Sequence, residues 1–250
     1  MNRRVRSLVI PSLVLVLGLL TAACGGGKEA DGEARPASTA PPVTQPLATA
    51  GVSTVATARI SSVKVYARPE ATAPVTHTLA NPAKSGAPLV FLTEKTEGDW
   101  ILVNLPVRPN GSTGWVNACD VSLSQHDFRI VVELNAHKLT VFKGASTVLT
   151  DTVGVGRGNA PTPGGKFYIK ELLQPPNPNT VYGPYAYGLS GFSESFETFN
   201  GGEPVLGIHG NNDPSSLGKD VSAGCIRMSN SAITTLAKML PLGVPVEIRA

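Results

Sequence analysis

The sequence predicts a mainly β protein built from two β-rich domains, with one main helix in the second. Short β-branched segments separated by turn residues fill residues 52–123. Further strand-like segments joined by short turns run from residue 128 to the C-terminus. Only residues 230–240 place apolar side chains at helical spacing. The expected architecture is therefore mainly β with a single substantial helix.

Residues 52–123 are expected to form a small β-barrel. Residues 62–67 alternate polar and apolar side chains, which is typical of a half-buried strand. Residues 88–92 and 100–104 are apolar runs of strand length, and residues 108–114 are dense in turn formers. No segment here has a helical period, so the pattern favours a barrel of short strands.

Three short motifs in this barrel, at residues 65–69, 98–100 and 114–116, resemble bacterial Src-homology-3-like modules, which accompany cell-wall enzymes. Trp100 and Trp115 lie within these motifs and are interpreted as core residues. A binding platform is the alternative, but a barrel this small needs its large apolar side chains for its core.

Residues 124–250 are expected to form the second domain. Its helix over residues 230–240 can be capped by Ser229 or Asn230, and Pro241 ends it. Its strands are predicted at residues 128–134, 139–142, 147–155, 166–171, 205–208 and 244–248.

Residues 1–23 are predicted to be an export signal, because three arginines precede an apolar run that ends in small residues. A membrane-spanning helix is the alternative, but such a helix needs about 20 apolar residues and Pro11 interrupts this run. Cys24 follows directly, which resembles a bacterial lipoprotein signal. That resemblance implies a lipid on Cys24 and a place at the outer face of the cytoplasmic membrane or in the cell wall. Ordinary secretion with cleavage nearby is the alternative.

Residues 24–51 are rich in Gly, Ala, Pro, Ser and Thr and are expected to be a disordered tether. The net charge of +3 depends on the export signal. Without residues 1–23 the Lys and Arg count falls from 21 to 18, which equals the 18 Asp and Glu residues. The basic character therefore gives no support to nucleic-acid binding.

The chain has only three cysteines, too few for a disulfide scaffold. Cys119 lies among apolar residues and is interpreted as a small buried hydrophobe. Cys225 follows a glycine that lets the backbone approach a substrate, and it precedes the start of the predicted helix. Nearby amides and the positive helix end are expected to favour a thiolate and to stabilise an oxyanion.

A cysteine nucleophile needs a base within hydrogen-bonding reach, and His209 is the best candidate among the four histidines. It ends an apolar strand, with Gly207 two positions before it and Gly210 directly after it. A lone histidine there would more often be structural, but Cys225 sixteen residues later favours catalysis. No second histidine or acidic residue lies at metal-ligand spacing, so no metal site is expected.

At these residues the sequence resembles the L,D-transpeptidase family, whose catalytic domain is called YkuD-like. The likeness covers residues 128–250, and the family fold implies a β-sandwich. Three motifs carry it: the meander ending in residues 153–156, the segment 160–167, and His209-Gly210 followed by residues 222–228. Ala223 stands where many members have a histidine, which leaves His209 as the candidate base.

The resemblance implies that Cys225 is the nucleophile, that His209 transfers protons, and that the Gly210 carbonyl orients the imidazole. Backbone amides around Gly224 and Cys225 would form the oxyanion hole, with Ser222 beside it. Arg227, where members often have Asn, holds a substrate carboxylate or forms a structural salt bridge.

The implied reaction is peptidoglycan 3–3 cross-linking. Cys225 attacks the carbonyl of the third residue of a tetrapeptide stem, terminal D-Ala leaves, and an amine of a neighbouring stem resolves the thioester. An L,D-carboxypeptidase and a non-catalytic wall-binding lipoprotein are the alternatives, whereas a general cysteine protease is disfavoured by the motifs. No cofactor is implied, and carbapenems are expected to inactivate the enzyme.

Overall fold

The computed structural model of the protein describes residues 51–199 and 201–250. Its first part is a seven-stranded antiparallel sheet in the order β3-β2-β6-β5-β4-β1-β7. The strands are β1 (Ser53–Ala58), β2 (Ser62–Tyr66), β3 (Val75–Ala80), β4 (Val90–Glu97), β5 (Trp100–Asn104), β6 (Thr113–Asn117) and β7 (Val121–His126).

One apolar core joins strands from across this sheet, so the sheet curls around it. Fully buried members include Val63 and Val65 of β2, Phe91 of β4 and Ile101 of β5. Trp115 is buried, as predicted. Trp100 is only partly buried and packs edge-on against the ring of Tyr66, with 5.0 Å between the ring centroids.

The second part is an eight-stranded mixed sheet in the order β10-β9-β8-β17-β12-β13-β14-β16, accompanied by a two-stranded sheet of β11 and β15. Its two parallel pairings are β8 with β17 and β14 with β16. The strands are β8 (Phe128–Glu133), β9 (Lys138–Lys143), β10 (Ser146–Thr152), β11 (Val155–Gly156), β12 (Gly165–Leu173), β13 (Ala186–Phe192), β14 (Val205–His209), β15 (Asp220–Ser222), β16 (Ile226–Arg227) and β17 (Pro245–Arg249).

The helix α1 (Asn230–Met239) covers the core of this sheet. Ser229 caps it, because its hydroxyl accepts a hydrogen bond from the Ala232 amide at 3.2 Å. Ile233 and Leu236 are fully buried against the sheet. The helix ends before Pro241, which cannot donate a backbone hydrogen bond. Two short 3-10 turns, Ala118–Asp120 and Pro214–Ser216, complete the regular elements of the described residues.

Tyr168 of β12 links the two sheets. Its side chain is fully buried, and its hydroxyl lies 3.1 Å from the Val90 carbonyl and 3.3 Å from the Asn104 carbonyl. A phenol cut off from water at this position needs such a partner, so the sheets meet through a satisfied polar contact. The hydroxyl can donate to one carbonyl at a time, and either choice crosses between the sheets.

The predicted fold class, mainly β with one main helix, is confirmed. The prediction for Cys119 is wrong, because this residue is exposed in a 3-10 turn rather than buried in a strand. The predictions for residues 1–23, Cys24 and most of the tether lie outside the described residues. Within the part of the chain that is described, no helix has the length and apolar character needed to cross a membrane.

Candidate active site

Cys225 lies in a tight loop between β15 and β16, and two hydroxyl groups hold this loop. Gly224 has a φ of +113°, a conformation in which a side chain would be strained. The Gly224 amide donates to the hydroxyl of Ser222 at 3.1 Å, and the Gly224 carbonyl accepts from the hydroxyl of Thr162 at 2.8 Å. The Ser222 hydroxyl also donates to the Cys225 carbonyl at 2.6 Å. The backbone around the sulfur is therefore fixed from both sides.

These contacts correct two expectations. The Gly224 amide is occupied by Ser222, so it is not free to stabilise an oxyanion, and Ser222 supports the loop. The start of the helix is also occupied by protein groups: the Ser229 amide donates to Asp151 at 3.0 Å, and the Ser229 hydroxyl accepts from within the helix. The short strand β16 lies between Cys225 and this helix start. The helix end therefore does not account for the state of the thiol.

His209 is the last residue of β14, and the parallel pairing of β14 with β16 brings it to the cysteine loop. Ile208 pairs with Ile226 and His209 pairs with Arg227 in this register. Cys225 directly precedes β16, whose second residue is Arg227. Cys225 and His209 consequently line the same cavity. His209 is only 4% exposed, whereas Cys225 is partly exposed.

Gly207 keeps the space beside both groups open. A Cβ atom at Gly207 would lie 3.7 Å from Sγ of Cys225 and 3.8 Å from Cδ2 of His209. The same atom would lie 3.2 Å from the Tyr187 carbonyl oxygen, closer than ordinary van der Waals contact. Glycine at this position therefore leaves room at the reacting atoms that any larger residue would occupy.

The imidazole of His209 is held in one tautomer. Its Nδ1 lies 2.6 Å from the Gly210 carbonyl oxygen. A carbonyl only accepts hydrogen bonds, so Nδ1 carries the proton and Nε2 is left with a lone pair. Burial lowers the pKa of His209 to about 4, against the opposing effect of the Gly210 carbonyl; the charge of Arg227 lowers it further. At neutral pH the ring is an uncharged proton acceptor.

Burial also raises the pKa of the Cys225 thiol, whereas the Gly207 amide and the charge of Arg227 lower it. The raising effect is the larger, so the resting group is a thiol rather than the expected thiolate. Its sulfur lies 3.9 Å from the Val205 carbonyl, to which the S–H can donate. The site therefore holds a neutral thiol and a neutral imidazole, and ionisation must accompany attack.

Arg227 is the cation of the site. Its backbone pairs with Gly154 in both directions, at 2.8 and 2.9 Å. Its side-chain Nε is buried without a hydrogen-bond partner, and no ion pair of Arg227 occurs among residues 51–199 and 201–250. Its charge contributes at longer range to lowering the pKa of Asp213, after the hydrogen bond from Ser215. Among the described residues Arg227 therefore does not form the structural salt bridge that was considered for it.

Replacing Arg227 by Gln is expected to raise the pKa of both Cys225 and His209. The charge of Arg227 favours the thiolate and disfavours the imidazolium, so its loss acts on both pKa values in the same direction. The rate of Cys225 alkylation by iodoacetamide, measured against pH, should show its midpoint at higher pH in Arg227→Gln. Arg68→Gln, an exposed residue paired with Glu70, is the control. An unchanged midpoint in Arg227→Gln would contradict this electrostatic role.

Two cavities meet at Cys225 and His209. The first, lined by Tyr182, Ser193, Phe196 and Arg227 among others, is mainly apolar. The second extends past Gly188 to the carboxylates of Glu171 and Glu203. The sulfur is thus approachable from a side that carries a cation and from a side that carries carboxylates.

Several site residues had no strong sequence signal. Tyr182 packs edge-on against the imidazole of His209, with 5.1 Å between ring centroids, although it lies in an irregular segment. Asn211 is buried, and its side chain donates to the Met228 carbonyl at 2.7 Å while its amide donates to Asn230 at 2.9 Å. Thr162 lay within a recognised motif but without an assigned role. The sequence feature that could have pointed to Thr162 is its position two residues after Ala160, with a proline on either side.

Residues 127–248 match the family model described as the YkuD L,D-transpeptidase catalytic domain. The chain is 38% identical over 121 residues to a protein of Bacillus licheniformis and 36% identical over 121 residues to one of Bacillus subtilis; both are named "Putative L,D-transpeptidase YkuD". Each match covers 48% of this chain and 65% of the relative, so the chain spans about two thirds of the relatives' length.

Solved structures of L,D-transpeptidases are also similar to this chain. An enzyme from Mycobacterium tuberculosis H37Rv is 13% identical, with a TM-score of 0.42, and the match covers 65% of this chain and 90% of that one. L,D-transpeptidase 3 of Mycobacterium tuberculosis, solved with a faropenem-derived adduct, is 14% identical, with a TM-score of 0.43 and coverage of 65% and 91%.

Proposed function

We propose that this chain is a peptidoglycan L,D-transpeptidase that forms 3–3 cross-links through an acyl-enzyme on Cys225. The observation that carries the proposal is one cavity lined both by the partly exposed thiol of Cys225 and by the buried imidazole of His209, whose Nδ1 is held by the Gly210 carbonyl. The match of residues 127–248 to the L,D-transpeptidase catalytic domain supports the reaction class. The oriented base beside a thiol is the arrangement that nucleophilic acyl transfer requires.

In the first half of the proposed reaction, Nε2 of His209 takes the proton of the Cys225 thiol as the sulfur attacks the carbonyl of the third stem residue. The Gly210 carbonyl stabilises the imidazolium that forms, because it accepts from Nδ1. The charge of Arg227 and the Cys225 amide stabilise the negative charge that develops at the reacting centre. His209 then returns the proton to the leaving D-Ala amine, and a thioester remains.

In the second half, the side-chain amine of a neighbouring stem attacks the thioester. His209 takes a proton from this amine and returns it to the sulfur as the thioester breaks. The second cavity supports an amine acceptor, because Glu171 and Glu203 line its path to the sulfur and attract a cationic ammonium group, although Lys170 lies 3.9 Å from Glu171 and offsets part of their charge. The ammonium group loses one proton to solvent before the neutral amine attacks. Gly188 makes room for Glu171, since a Cβ atom there would overlap the Glu171 side chain.

An L,D-carboxypeptidase would use the same acyl-enzyme with water as acceptor, and a wall-binding lipoprotein would not use the thiol at all. The carboxylates of the second cavity favour the amine acceptor. The proposal also includes export, lipid attachment at Cys24, a Src-homology-3-like fold for residues 52–123 and a location in the cell wall. The domain limits at residues 52–123 and 124–250 belong to it as well.

Mass spectrometry of the purified chain with a disaccharide-tetrapeptide tests the proposal. We expect an adduct on Cys225 with the mass of the donor without its terminal D-Ala, followed by a cross-linked dimer. A tripeptide product without dimer would instead support the carboxypeptidase. A carbapenem should also acylate Cys225, since the strained β-lactam carbonyl is open to the same thiol. The absence of every adduct would contradict the enzymatic proposal.

A further inference from the structure

One side of the first cavity is formed by residues 192–199, here called the wall segment. Ser193, Phe196 and Phe199 of this segment line the cavity together with Cys225. The Ser193 hydroxyl lies 3.8 Å from the position that a Cβ atom on Gly224 would take. The wall segment therefore reaches the loop that carries the nucleophile.

The outer side of the wall segment is held by residues 105–112, here called the support loop, which connects β5 and β6 of the first sheet. The Asn110 side chain bonds both backbone groups of Phe192: its Nδ2 donates to the Phe192 carbonyl at 2.9 Å, and its Oδ1 accepts from the Phe192 amide at 2.9 Å. This pairing imitates a neighbouring strand at the residue where β13 ends.

Arg108 adds two charge-assisted bonds further along the wall segment. One guanidinium nitrogen donates to the Ser193 carbonyl at 2.8 Å and to the Phe196 carbonyl at 3.0 Å. The guanidinium also lies 5.3 Å from the centroid of the Phe192 ring. The backbone positions held by Arg108 and Asn110 are thus the ones whose side chains line the cavity or adjoin it.

We propose that the support loop is a positioning element of the active site, in which Arg108 and Asn110 fix the wall segment so that substrate is held against Cys225. The inference rests on the proposed function for its catalytic consequence. It gives the first sheet a role within the reaction, because a loop from that sheet shapes the cavity of the second. Arg108 and Asn110 are positioning residues, since neither lines the cavity itself.

The first test is independent of catalysis. Hydrogen exchange of the full chain is compared between the wild type, Arg108→Ala/Asn110→Ala, and the control Arg68→Ala, whose residue pairs with Glu70 in the loop between β2 and β3. We expect faster exchange confined to the wall segment in the double variant, because the Phe192 amide loses its acceptor. Unchanged exchange there would overturn the inference.

The milder variant Asn110→Asp guards against a failure to fold. It keeps the acceptor for the Phe192 amide but replaces the donor to the Phe192 carbonyl by a carboxylate oxygen, close to Glu194. We expect the same change in exchange, smaller in size. If the double variant does not fold, this variant decides: faster exchange in the wall segment supports the inference and unchanged exchange overturns it.

The second test separates positioning from thiol reactivity. With the disaccharide-tetrapeptide, kcat/KM of the double variant should fall about tenfold or more, mainly through a higher KM, because misplaced contacts weaken substrate positioning. Alkylation of Cys225 by iodoacetamide does not depend on contacts with the wall segment, so its rate in the double variant should stay within about twofold of the wild-type rate.

The two failures are distinguishable. If the wild type neither acylates nor cross-links the tetrapeptide, the proposed function fails, and the exchange test still decides whether the support loop holds the wall. If the wild type is active and faster exchange leaves kcat/KM unchanged, the positioning role is overturned. Equal losses of kcat/KM in Arg68→Ala would also overturn it.

Discussion

Cys225→Ala is expected to abolish cross-linking, with kcat falling at least about 10⁴-fold, because the covalent intermediate cannot form without the sulfur. The fold should be retained, since the change removes one atom from a partly exposed side chain in a loop held by Ser222 and Thr162. The dimer formed from disaccharide-tetrapeptide, quantified by mass spectrometry, gives the activity, and thermal unfolding gives the stability.

Cys225→Ser is the matched control, because it keeps the shape of the side chain and replaces the soft nucleophile by a hydroxyl with a far higher pKa. It too should lose cross-linking, and neither variant should form an adduct with a carbapenem. Binding of both variants to intact peptidoglycan should persist. Cross-linking at the wild-type rate by Cys225→Ala would leave the non-catalytic wall-binding protein as the better account.

His209→Asn is expected to lower kcat about 10²–10⁴-fold at neutral pH, the range typical for loss of a general base. The Asn amide can still donate to the Gly210 carbonyl in place of Nδ1, but it offers no proton acceptor in place of Nε2. The loss therefore reports proton transfer rather than loop geometry. Steady-state cross-linking rates and the pH profile of Cys225 alkylation measure it.

The pH profile separates a base from a structural histidine. Above the raised pKa of Cys225 the thiolate forms without help, so alkylation of His209→Asn should approach the wild-type rate at high pH. His77→Asn, the same exchange in β3 of the first sheet, should leave both profiles unchanged. A variant His209→Asn that stays unreactive at high pH would mean that the histidine shapes the loop instead.

Much of the second sheet could be predicted because its signals are local. The motifs also indicated that Cys225 and His209 lie near each other, and both line one cavity, while their catalytic pairing stays a prediction. Strand β14 matches the apolar run at residues 205–208, and Pro241 marks the end of the helix. The glycines beside His209 correctly indicated the end of a strand, but the exposure expected there was wrong, because His209 is buried. These patterns depend on the spacing of apolar residues and on the backbone freedom of each residue type, and both can be identified directly from the sequence.

Strand β13 was missed for a physical reason. It is almost entirely buried and central in the sheet, yet Gly188 and Gly191 interrupt its apolar residues. At Gly191 a Cβ atom would overlap the Phe167 ring, so glycine is required there to leave room for a side chain on another strand. Such a requirement is set by packing across the sheet, and a local pattern cannot reveal it.

The prediction that Cys225 rests as a thiolate was wrong for a similar reason. Proximity in sequence to the helix start suggested a thiolate, whereas burial in the folded cavity raises the pKa of Cys225. The support of the wall segment by Arg108 and Asn110 links residues more than 80 positions apart. Long-range contacts and desolvation depend on the finished fold, so neither follows from spacing.

The protonated resting state of Cys225 also bears on chemical durability. Peroxides oxidise thiolates to sulfenic acid far faster than they oxidise thiols. A thiol whose pKa is raised by burial spends less of its idle time as the vulnerable thiolate than a free cysteine does. The same buried setting that demands a base for catalysis thereby shields the nucleophile from oxidants between turnovers.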